Sequence, residues 1–318
     1  MKNFAIIGVG GYIAPRHLKA IKDTENNLIA ATDPFDSVGI LDRYFYDVNY
    51  FKEFERFDRH IEKLRRIDDG RKIDYVSICS PNYLHDAHIR FALRVGAHAI
   101  CEKPLVLNPW NLDALAEIEE ECQHKIYNIL QLRMHPAIVA LRDKVRNANK
   151  KEKYDIDLTY ITSRGKWYFY SWKGYMEKSG GVATNIGIHF FDMLTWIFGD
   201  LQKVEVHVQD DKKAGGFLEL ENANVRWFLS LDKEDLPQKA VDHGKPTYRS
   251  ILVEGEEIEF SGGFTDLHNV VYQDILDGKG FGINDAYTSV KIAHQIRHSA
   301  QTGIDPEKSH PILVAKGK

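Results

Sequence analysis

The sequence predicts an α/β domain with a parallel sheet, followed by an α+β domain with an open, mostly antiparallel sheet. Two observations support this division. Strand and helix patterns alternate through about residue 125, as in parallel sheets covered by helices on both faces. Beyond that point, strand patterns follow one another with few helices between them, which indicates antiparallel pairing. We therefore expect one domain over residues 1–125 and a second over residues 126–318.

Composition narrows the class of protein. At 318 residues the chain is long enough for two hydrophobic cores, and its net charge of −4 does not favour a nucleic-acid or membrane partner. No apolar run is long enough to cross a bilayer. Cys79, Cys101 and Cys122 show neither metal nor disulfide spacing, which favours a reducing compartment. Met1 leads directly into the first strand without a signal peptide, so we expect a cytoplasmic protein.

The N-terminal segment has the pattern of a dinucleotide-binding turn. An apolar strand over residues 2–7 precedes a helix that starts near Pro15. The turn between them consists of Gly8, Val9, Gly10, Gly11, Tyr12 and Ile13. Gly8 permits a tight turn, and Gly10 lets the backbone approach a pyrophosphate at the helix N-terminus. Ile13 occupies the position of the third fingerprint glycine, so we expect slightly different packing there.

An acid follows the second strand at the interval that a ribose contact requires. The apolar run 28–32 ends at Asp33, 23 residues after Gly10. A carboxylate there would bind the adenosine ribose and repel a 2′-phosphate, which favours NAD over NADP; Asp36 is a second possible contact. Together these features predict a Rossmann NAD-binding domain, with an ordinary βαβ unit as the alternative.

Polar residues also follow the predicted strand at 74–79. Ser80, Asn82 and His85 lie where ligands of parallel sheets bind, and Asn82 or His85 could bond a nicotinamide or its ribose. A simple turn with a helix cap is the alternative. The remaining predicted elements of this part are a strand at 98–101, helices at 84–95 and 108–122, a last parallel strand at 125–131 and a helix at 136–147.

Glu102, Lys103 and Pro104 end the strand at 98–101. A lysine at the ligand end of the sheet could act as a general base or stabilise a developing alkoxide. Glu102 could orient Lys103 or contact the cofactor. A surface ion pair in a loop is the alternative reading.

Strand patterns dominate the second domain. Val204, Val206 and Val208 alternate with polar residues, so one sheet face should be buried, and the exposed face could form a subunit interface. The lysine-rich stretch 150–153 predicts a solvated turn before this sheet. The predicted strands are 155–163, 203–209, 224–231 and 250–254, and the predicted helices are 181–198, 264–277 and 284–301.

One helix of the second domain carries a polar stripe on a mostly apolar sequence. Asn185 and His189 lie four residues apart and share a helical face, while Asp192 could orient the imidazole. Buried polar groups need partners, which favours a site over a purely structural histidine. The other histidines show no metal-ligand spacing, so we expect no catalytic metal.

Cations and aromatic residues alternate over residues 163–174. The acidic net charge disfavours nucleic acid, and a loop that holds an anionic, ring-bearing ligand fits better. Arg164 and Lys173 would pair with the anionic groups of this ligand. Arg133 would join them if the predicted strand at 125–131 ends at the same cleft. An amphipathic strand and turn is the alternative.

Together these motifs resemble the Gfo/Idh/MocA oxidoreductase family across essentially the whole chain. They stand in family order: the glycine turn, Glu102-Lys103-Pro104, and the helix with Asn185, His189 and Asp192. Further runs are most similar to the UDP-N-acetyl-2-amino-2-deoxy-D-glucuronate 3-dehydrogenases of that family, namely SPNYLH, NILQLR, LTYITSRGKWY, SWKG and GVATNIGIHFFDML.

The resemblance implies NAD-dependent oxidation of the C3 hydroxyl of a UDP-linked N-acetylglucosaminuronic acid, in lipopolysaccharide O-antigen biosynthesis. It implies a second domain that binds substrate and assembles into a dimer or tetramer, and 2-oxoglutarate as a possible oxidant of the reduced cofactor. Lys103 and His189 would be catalytic. The nicotinamide end would be lined by Ser80, Asn82, His85, Glu102, Lys103 and Gln131, and the substrate by Lys103, Arg133, Arg164, Lys173, Thr184, Asn185 and His189. A family member acting on a free polyol or inositol, or a non-catalytic NAD-binding regulator, is the alternative.

Overall fold

The computed structural model describes residues 1–67, 70–148, 152–258 and 266–316. The chain divides into two compact units, Met1–Gln131 with Thr265–Tyr287, and Leu132–Phe264 with Thr288–Lys318. Across the described ranges, every helix is too short or too polar to span a membrane. Part of the lysine-rich stretch (150–151) and the first two residues of the helix predicted at 264–277 lie outside these ranges.

The described residues form strands and helices in the following order along the chain. The strands are β1 (Asn3–Ile7), β2 (Asn27–Thr32), β3 (Asn49–Phe51), β4 (Tyr75–Ile78), β5 (His98–Cys101), β6 (Ile126–Asn128), β7 (Tyr154–Thr162), β8 (Leu201–Gln209), β9 (Lys213–Leu220), β10 (Ala223–Ser230), β11 (Thr247–Val253) and β12 (Glu256–Glu257). The helices are α1 (Ala14–Asp23), α2 (Phe54–Arg66), α3 (His85–Arg94), α4 (Pro109–Cys122), α5 (Pro136–Asn147), α6 (Lys166–Tyr170), α7 (Met176–Ser179), α8 (Ile188–Phe198), α9 (Gln238–Asp242), α10 (Leu267–Leu276), α11 (Ile283–His298) and α12 (Pro311–Lys316).

The first unit contains a parallel sheet in the order β3-β2-β1-β4-β5-β6. This is the strand order of dinucleotide-binding folds. The central strands β4 and β5 are short apolar runs that lie almost wholly buried, as expected for strands covered on both faces. Because all strands run the same way, Gly8, Asp33, Ser80 and Glu102 follow strand ends at one edge of the sheet.

The limits of the first unit differ from the predicted division at residue 125. β6 pairs with β5 and so belongs to the parallel sheet. The late segment Thr265–Tyr287 also belongs to this unit, because α10 packs against α1. Surface bonds reinforce that contact: Asn269 donates to Asp23 at 2.6 Å and Lys19 donates to Asp266 at 3.2 Å.

The second unit contains a mixed sheet in the order β12-β11-β7-β10-β9-β8. The pairing is antiparallel as expected, except that β7 and β10 run parallel at the centre. The sequence did not predict β9, since Gly215 and Gly216 interrupt its apolar pattern. Gly216 is required by packing, because a Cβ atom there would lie 2.1 Å from the carbonyl oxygen of Glu205 on β8.

Both faces of this sheet are covered near its centre. On one face Trp227 packs edge-on against Phe191 of α8, with ring centroids 5.4 Å apart. On the other, Phe228 packs with Ile161 and with Leu313 of α12. Trp227 and Phe228 are therefore fully buried within the chain.

Candidate active site

The glycine turn after β1 forms a tight backbone cradle. Gly8 has a φ of +84°, and a Cβ atom there would lie 2.7 Å from the carbonyl carbon of Cys79, so only glycine fits. The backbone N–H of Gly10 donates to Asp33 Oδ2 at 2.9 Å. Gly10 and Tyr12 are exposed, while Ile13 is half-buried just before α1. The turn therefore presents open backbone beside a helix N-terminus.

Asp33 is held next to this turn by backbone donors. Its Oδ1 accepts from the N–H of Phe35 at 2.9 Å, in addition to the bond from Gly10. The Tyr50 hydroxyl lies 2.8 Å from the carbonyl oxygen of Asp33, which fixes the start of the loop. Asp36 is exposed and pairs with Lys52 at 3.5 Å. The cradle and the fixed carboxylate fit the pyrophosphate and ribose of a dinucleotide.

His85 joins the turn after β4 to the turn after β5. Its Nδ1 lies 2.7 Å from the carbonyl oxygen of Pro104, and its Nε2 lies 2.9 Å from that of Ser80. Burial lowers the pKa of His85. The Ser80 hydroxyl bonds to Nδ1 of His88 at 2.8 Å, and Asn82 is buried at the start of a 3₁₀ turn. A neutral imidazole has one N–H, so His85 lies between the two turns and donates to one of these carbonyl oxygens at a time.

Glu102 is buried and accepts three hydrogen bonds. Its Oε1 accepts from Nε2 of His17 at 2.9 Å and from Nε2 of His268 at 3.2 Å, while Oε2 accepts from the backbone N–H of Lys103 at 3.2 Å. Burial alone would raise the pKa of Glu102, but the bonds from the two histidines hold it well below its ordinary value. Lys103 itself is half-buried and precedes a cis proline.

The sequence did not predict His17 and His268 as functional residues. Each lies on the buried face of a helix, α1 or α10, and a polar residue on an apolar stripe is the signal that could have identified it. The potential ligand atoms of His17, Glu102 and His268 lie within 4.8 Å of one another. Direct bonds to the carboxylate account for this arrangement without an ion.

In the second unit, the polar stripe begins in a π-helical turn, Ala183–Gly187, that leads into α8. Asn185 donates from Nδ2 to the hydroxyl of Tyr168 at 2.5 Å. Burial raises the pKa of Tyr168, opposed by this bond and by the charge of Arg164. Gly187 allows the turn to press on β10, because a Cβ atom would lie 2.5 Å from Leu229 Cδ1.

Asp192, expected to orient His189, forms a buried ion pair with Arg133. Nε of Arg133 donates to Oδ2 at 3.0 Å and Nη2 donates to Oδ1 at 2.7 Å. The two side chains are only 7% and 2% exposed. Arg133 was predicted as a substrate contact, but in the structure its guanidinium binds the Asp192 carboxylate and lies 5.8 Å from the centroid of the Trp196 ring.

The remaining predicted residues differ in exposure. Lys173 lies over the ring of Trp172, with its ammonium 4.3 Å from the centroid, and Arg164 is exposed. Gln131 is buried at the start of a 3₁₀ turn, and His189 is half-buried on α8. Thr184 is buried, and its hydroxyl has no hydrogen-bond partner within the described ranges.

Comparison with known proteins assigns the family. Residues 2–129 match the Gfo/Idh/MocA model for an oxidoreductase family with an NAD-binding Rossmann fold, and residues 152–236 match the model of its C-terminal alpha/beta domain. The WlbA (WbpB) dehydrogenase from Thermus thermophilus, solved with NAD and alpha-ketoglutarate, is 49% identical with a TM-score of 0.94. That match covers 98% of this chain and 100% of the other. The chain belongs to the Gfo/Idh/MocA family.

Other members of the family are also similar. The same Thermus thermophilus dehydrogenase in complex with NAD and UDP-GlcNAcA is 48% identical, with a TM-score of 0.94 and the same coverage. The inositol 2-dehydrogenase of Rhizobium meliloti (strain 1021) is 26% identical over 198 residues, which is 62% of this chain and 55% of that protein. The matched part of this chain spans about half the length of the curated relatives that it resembles.

These comparisons confirm three predictions: the family, the fold class and NAD as the cofactor. The first unit is an NAD-binding Rossmann domain. Its glycine cradle and the fixed carboxylate of Asp33 are the features that fit NAD.

Proposed function

We propose that this protein is an NAD-dependent dehydrogenase that oxidises the C3 hydroxyl of a UDP-linked N-acetylglucosaminuronic acid to the 3-keto sugar. The observation that carries the proposal is the 49% identity over almost the full chain to a dehydrogenase solved with NAD and, in a second complex, with UDP-GlcNAcA. The sequence runs that resemble that group lie in both units.

The residues of the first unit would bind NAD, which accepts a hydride when bound. The glycine turn from Gly8 to Ile13 supplies backbone N–H groups and a helix N-terminus for the pyrophosphate. Asp33 would bind the adenosine ribose, with Asp36 as a second contact. Ser80, Asn82 and Gln131 would line the nicotinamide end, while His85 and Glu102 fix the turns on which that end depends.

Lys103 and His189 would assist removal of the proton from the substrate hydroxyl. Oxidation removes a hydride from C3 and a proton from its oxygen, so one group must accept that proton and a second can stabilise the oxygen as charge develops. Lys103 follows a strand of the parallel sheet, where ligands bind. His189 follows the π-helical turn, and such turns are frequent at functional sites.

Substrate contacts would come from the second unit. Arg164 and Lys173 offer cations for the diphosphate or the uronate carboxylate. Asn185, bonded to Tyr168, and Thr184, whose buried hydroxyl has an unused bonding capacity, would meet sugar hydroxyls. Arg133 would contribute by fixing Asp192 on the helix that carries His189.

Three finer points belong to this proposal. The product would serve lipopolysaccharide O-antigen sugar biosynthesis in the cytoplasm. The protein would assemble as a homo-oligomer. Reduced cofactor would be reoxidised by 2-oxoglutarate, as suggested by the alpha-ketoglutarate in the complex of the Thermus thermophilus relative.

The test is the spectrum of the purified protein. We expect UDP-GlcNAcA to produce absorbance of reduced cofactor, and 2-oxoglutarate to bleach it. A matched control uses UDP-N-acetylglucosamine, which lacks the carboxylate and should react poorly. Absence of reduced cofactor with UDP-GlcNAcA would reject the proposed activity.

A free polyol is the second candidate substrate, favoured by the similarity to an inositol 2-dehydrogenase. A polyol enzyme needs no diphosphate site, so tight binding of UDP would decide against it. A third reading, a non-catalytic NAD-binding regulator, would show NAD binding but no reduction with either substrate class.

A further inference from the structure

A fully buried chain of hydrogen bonds reaches Glu102 from the interior of the first unit. Beyond the histidines that bond Glu102, Nδ1 of His17 lies 2.7 Å from the hydroxyl of Tyr272, which lies 2.6 Å from the hydroxyl of Ser77. We call Ser77, Tyr272, His17, His268 and Glu102 the Glu102 network. Its members are at most 7% exposed, so these bonds are shielded from bulk solvent.

The donors and acceptors of these side chains limit which atom donates in each hydrogen bond. A carboxylate is an acceptor only, so Nε2 of His17 and Nε2 of His268 must both donate to Oε1. Burial lowers the pKa of His17, and Nδ1 of a neutral His17 accepts from the Tyr272 hydroxyl, whose oxygen then accepts from Ser77. Nδ1 of His268 has no partner within the described residues, and a proton there would be buried unsatisfied. These contacts favour the Nε2–H tautomer at both histidines.

The network explains why a distant segment returns to this unit. His268 and Tyr272 lie four residues apart on one face of α10, and they reach Glu102 and Ser77 across 166 and 195 positions of the chain. The Tyr272 ring also stacks against Phe4 of β1, with centroids 5.9 Å apart. α10 thus places two polar groups beneath the ends of β4 and β5.

The other carboxylate oxygen links the network to Lys103. Because Oε1 is fixed by two imidazoles, the Glu102 side chain cannot rotate without breaking both bonds. Oε2 is therefore fixed as the acceptor of the Lys103 backbone N–H. On the opposite side, His85 bonds to the carbonyl oxygen of Pro104. The backbone of the Lys103–Pro104 turn is held from both ends.

We propose that His17, His268 and Tyr272 are positioning residues, which hold ionised Glu102 so that the Lys103 backbone is set for catalysis. The proposal rests on the proposed function, because Lys103 acts there on the substrate proton. Misplacement of a catalytic group by about 1 Å can cost on the order of 100-fold in rate. The network should thus influence turnover more than binding.

The experiment compares variants that differ in one donor. His268→Leu removes the Nε2 donor, whereas His268→Gln keeps an amide N–H in its place. Tyr272→Phe removes only a hydroxyl from a packed ring, so it tests the same proposal if His268→Leu folds poorly. His60→Leu is the control, since His60 packs on Phe51 in the same unit outside the network. Turnover, KM for UDP-GlcNAcA, Kd for NAD and the unfolding midpoint are measured for each.

We expect His268→Leu and Tyr272→Phe to lower kcat by roughly 10- to 100-fold with little change in KM or NAD binding. His268→Gln should recover most of the loss, and His60→Leu should match the parent protein. Equal activity of His268→Leu and the parent would overturn the proposal. A loss of kcat in parallel with weaker NAD binding and a lower unfolding midpoint would also overturn it, since such a loss indicates a purely structural role.

A second readout needs no turnover. In ¹⁵N-histidine NMR spectra, His17 and His268 should appear as neutral Nε2–H tautomers, and Tyr272→Phe should shift His17 toward a tautomer mixture. An Nδ1–H tautomer or an imidazolium at either position would contradict the network. If the parent protein fails to oxidise UDP-GlcNAcA while these tautomers are observed, the proposed function fails and the network stands.

Discussion

We expect single residues at strand ends to decide which cofactor and which chemistry the protein can use. Asp33 accepts bonds from two backbone N–H groups and so presents a fixed negative charge beside the glycine turn. An unpaired 2′-phosphate near this charge should cost on the order of 1.4 kcal/mol or more, which is about tenfold in affinity.

We therefore expect NAD to bind at least about tenfold more tightly than NADP, and Asp33→Asn to reduce that preference markedly. Titration of both cofactors measures it, with the exposed Asp113→Asn on α4 of the same unit as the control variant. Equal affinities of the parent protein for NAD and NADP would remove Asp33 from the ribose site.

Lys103 and His189 are the residues on which turnover should depend most. Lys103→Met should retain NAD binding and the fold but lower turnover by roughly 100- to 10,000-fold, because a positioned acid–base group contributes on that scale. His189→Asn should be similarly impaired, and the exposed Lys125→Met should not. Single-turnover hydride transfer is the measurement. Near-normal rates in both Lys103→Met and His189→Asn would show that the catalytic pair is wrong.

Arg133 and Asp192 should matter for stability as well as for the helix carrying His189. Arg133→Leu leaves a carboxylate unpaired in the interior, so the free energy of unfolding should fall by about 3–5 kcal/mol. Arg226→Leu, which breaks the more exposed pair with Asp157, should cost about 1 kcal/mol. Denaturant unfolding of both variants checks this, and equal losses would contradict the role of burial.

At the scale of elements, the short helix α12 depends on one histidine. Nε2 of His310 lies 3.0 Å from the Thr159 hydroxyl of β7, Nδ1 accepts from the N–H of Ile312 at 3.2 Å, and the ring stacks on Phe228. Burial, with a smaller effect of Arg226, lowers the pKa of His310 to about 4. A protonated Nδ1 could no longer accept the bond from Ile312.

The sign of the pH effect follows from this shift. The unfolded chain binds a proton near pH 6.5 and the folded chain only near pH 4, so the stabilisation is complete above pH 6.5 and is lost as the pH falls toward 4. The loss from this group should be roughly 3 kcal/mol. His310→Gln should flatten the decline measured by denaturant unfolding, whereas the exposed His243→Gln should leave it unchanged. An unaltered slope in His310→Gln would contradict the assignment.

At the scale of the whole molecule, we expect the protein to form at least a dimer, built on the outer face of the second sheet, and two such dimers could pair into a tetramer. Phe228 on that face is buried with Leu313 of α12, so the interface would use more polar surface. Lys245 and Pro246 are exposed in the segment before β11, which could reach a neighbouring subunit. Light scattering at micromolar concentration checks this, and a clean monomer mass would exclude the assembly without affecting the catalytic proposal.

The fold class and the local motifs could be predicted from the sequence because their signals are contiguous. The glycine turn with its acid at a fixed interval, Glu102-Lys103-Pro104 and the Asn185–His189 stripe each lie within a short stretch of the sequence. Helix boundaries were predicted closely, as for α11, since apolar periodicity is a local property. β9 was missed because its glycines serve contacts with other strands.

Only the tertiary structure decided which polar side chains meet. His17 and Tyr272 bond across 255 positions, and Arg133 and Asp192 across 59, so no local pattern could pair them. Nor could a local pattern show that α10 belongs to the first unit, because α10 follows most of the second unit in the sequence. The sequence alone predicted the cofactor and the family, and it supplied the residues that we propose as catalytic. The folded chain determined which buried groups hold those residues in place, because a buried donor must find its acceptor wherever the fold brings one.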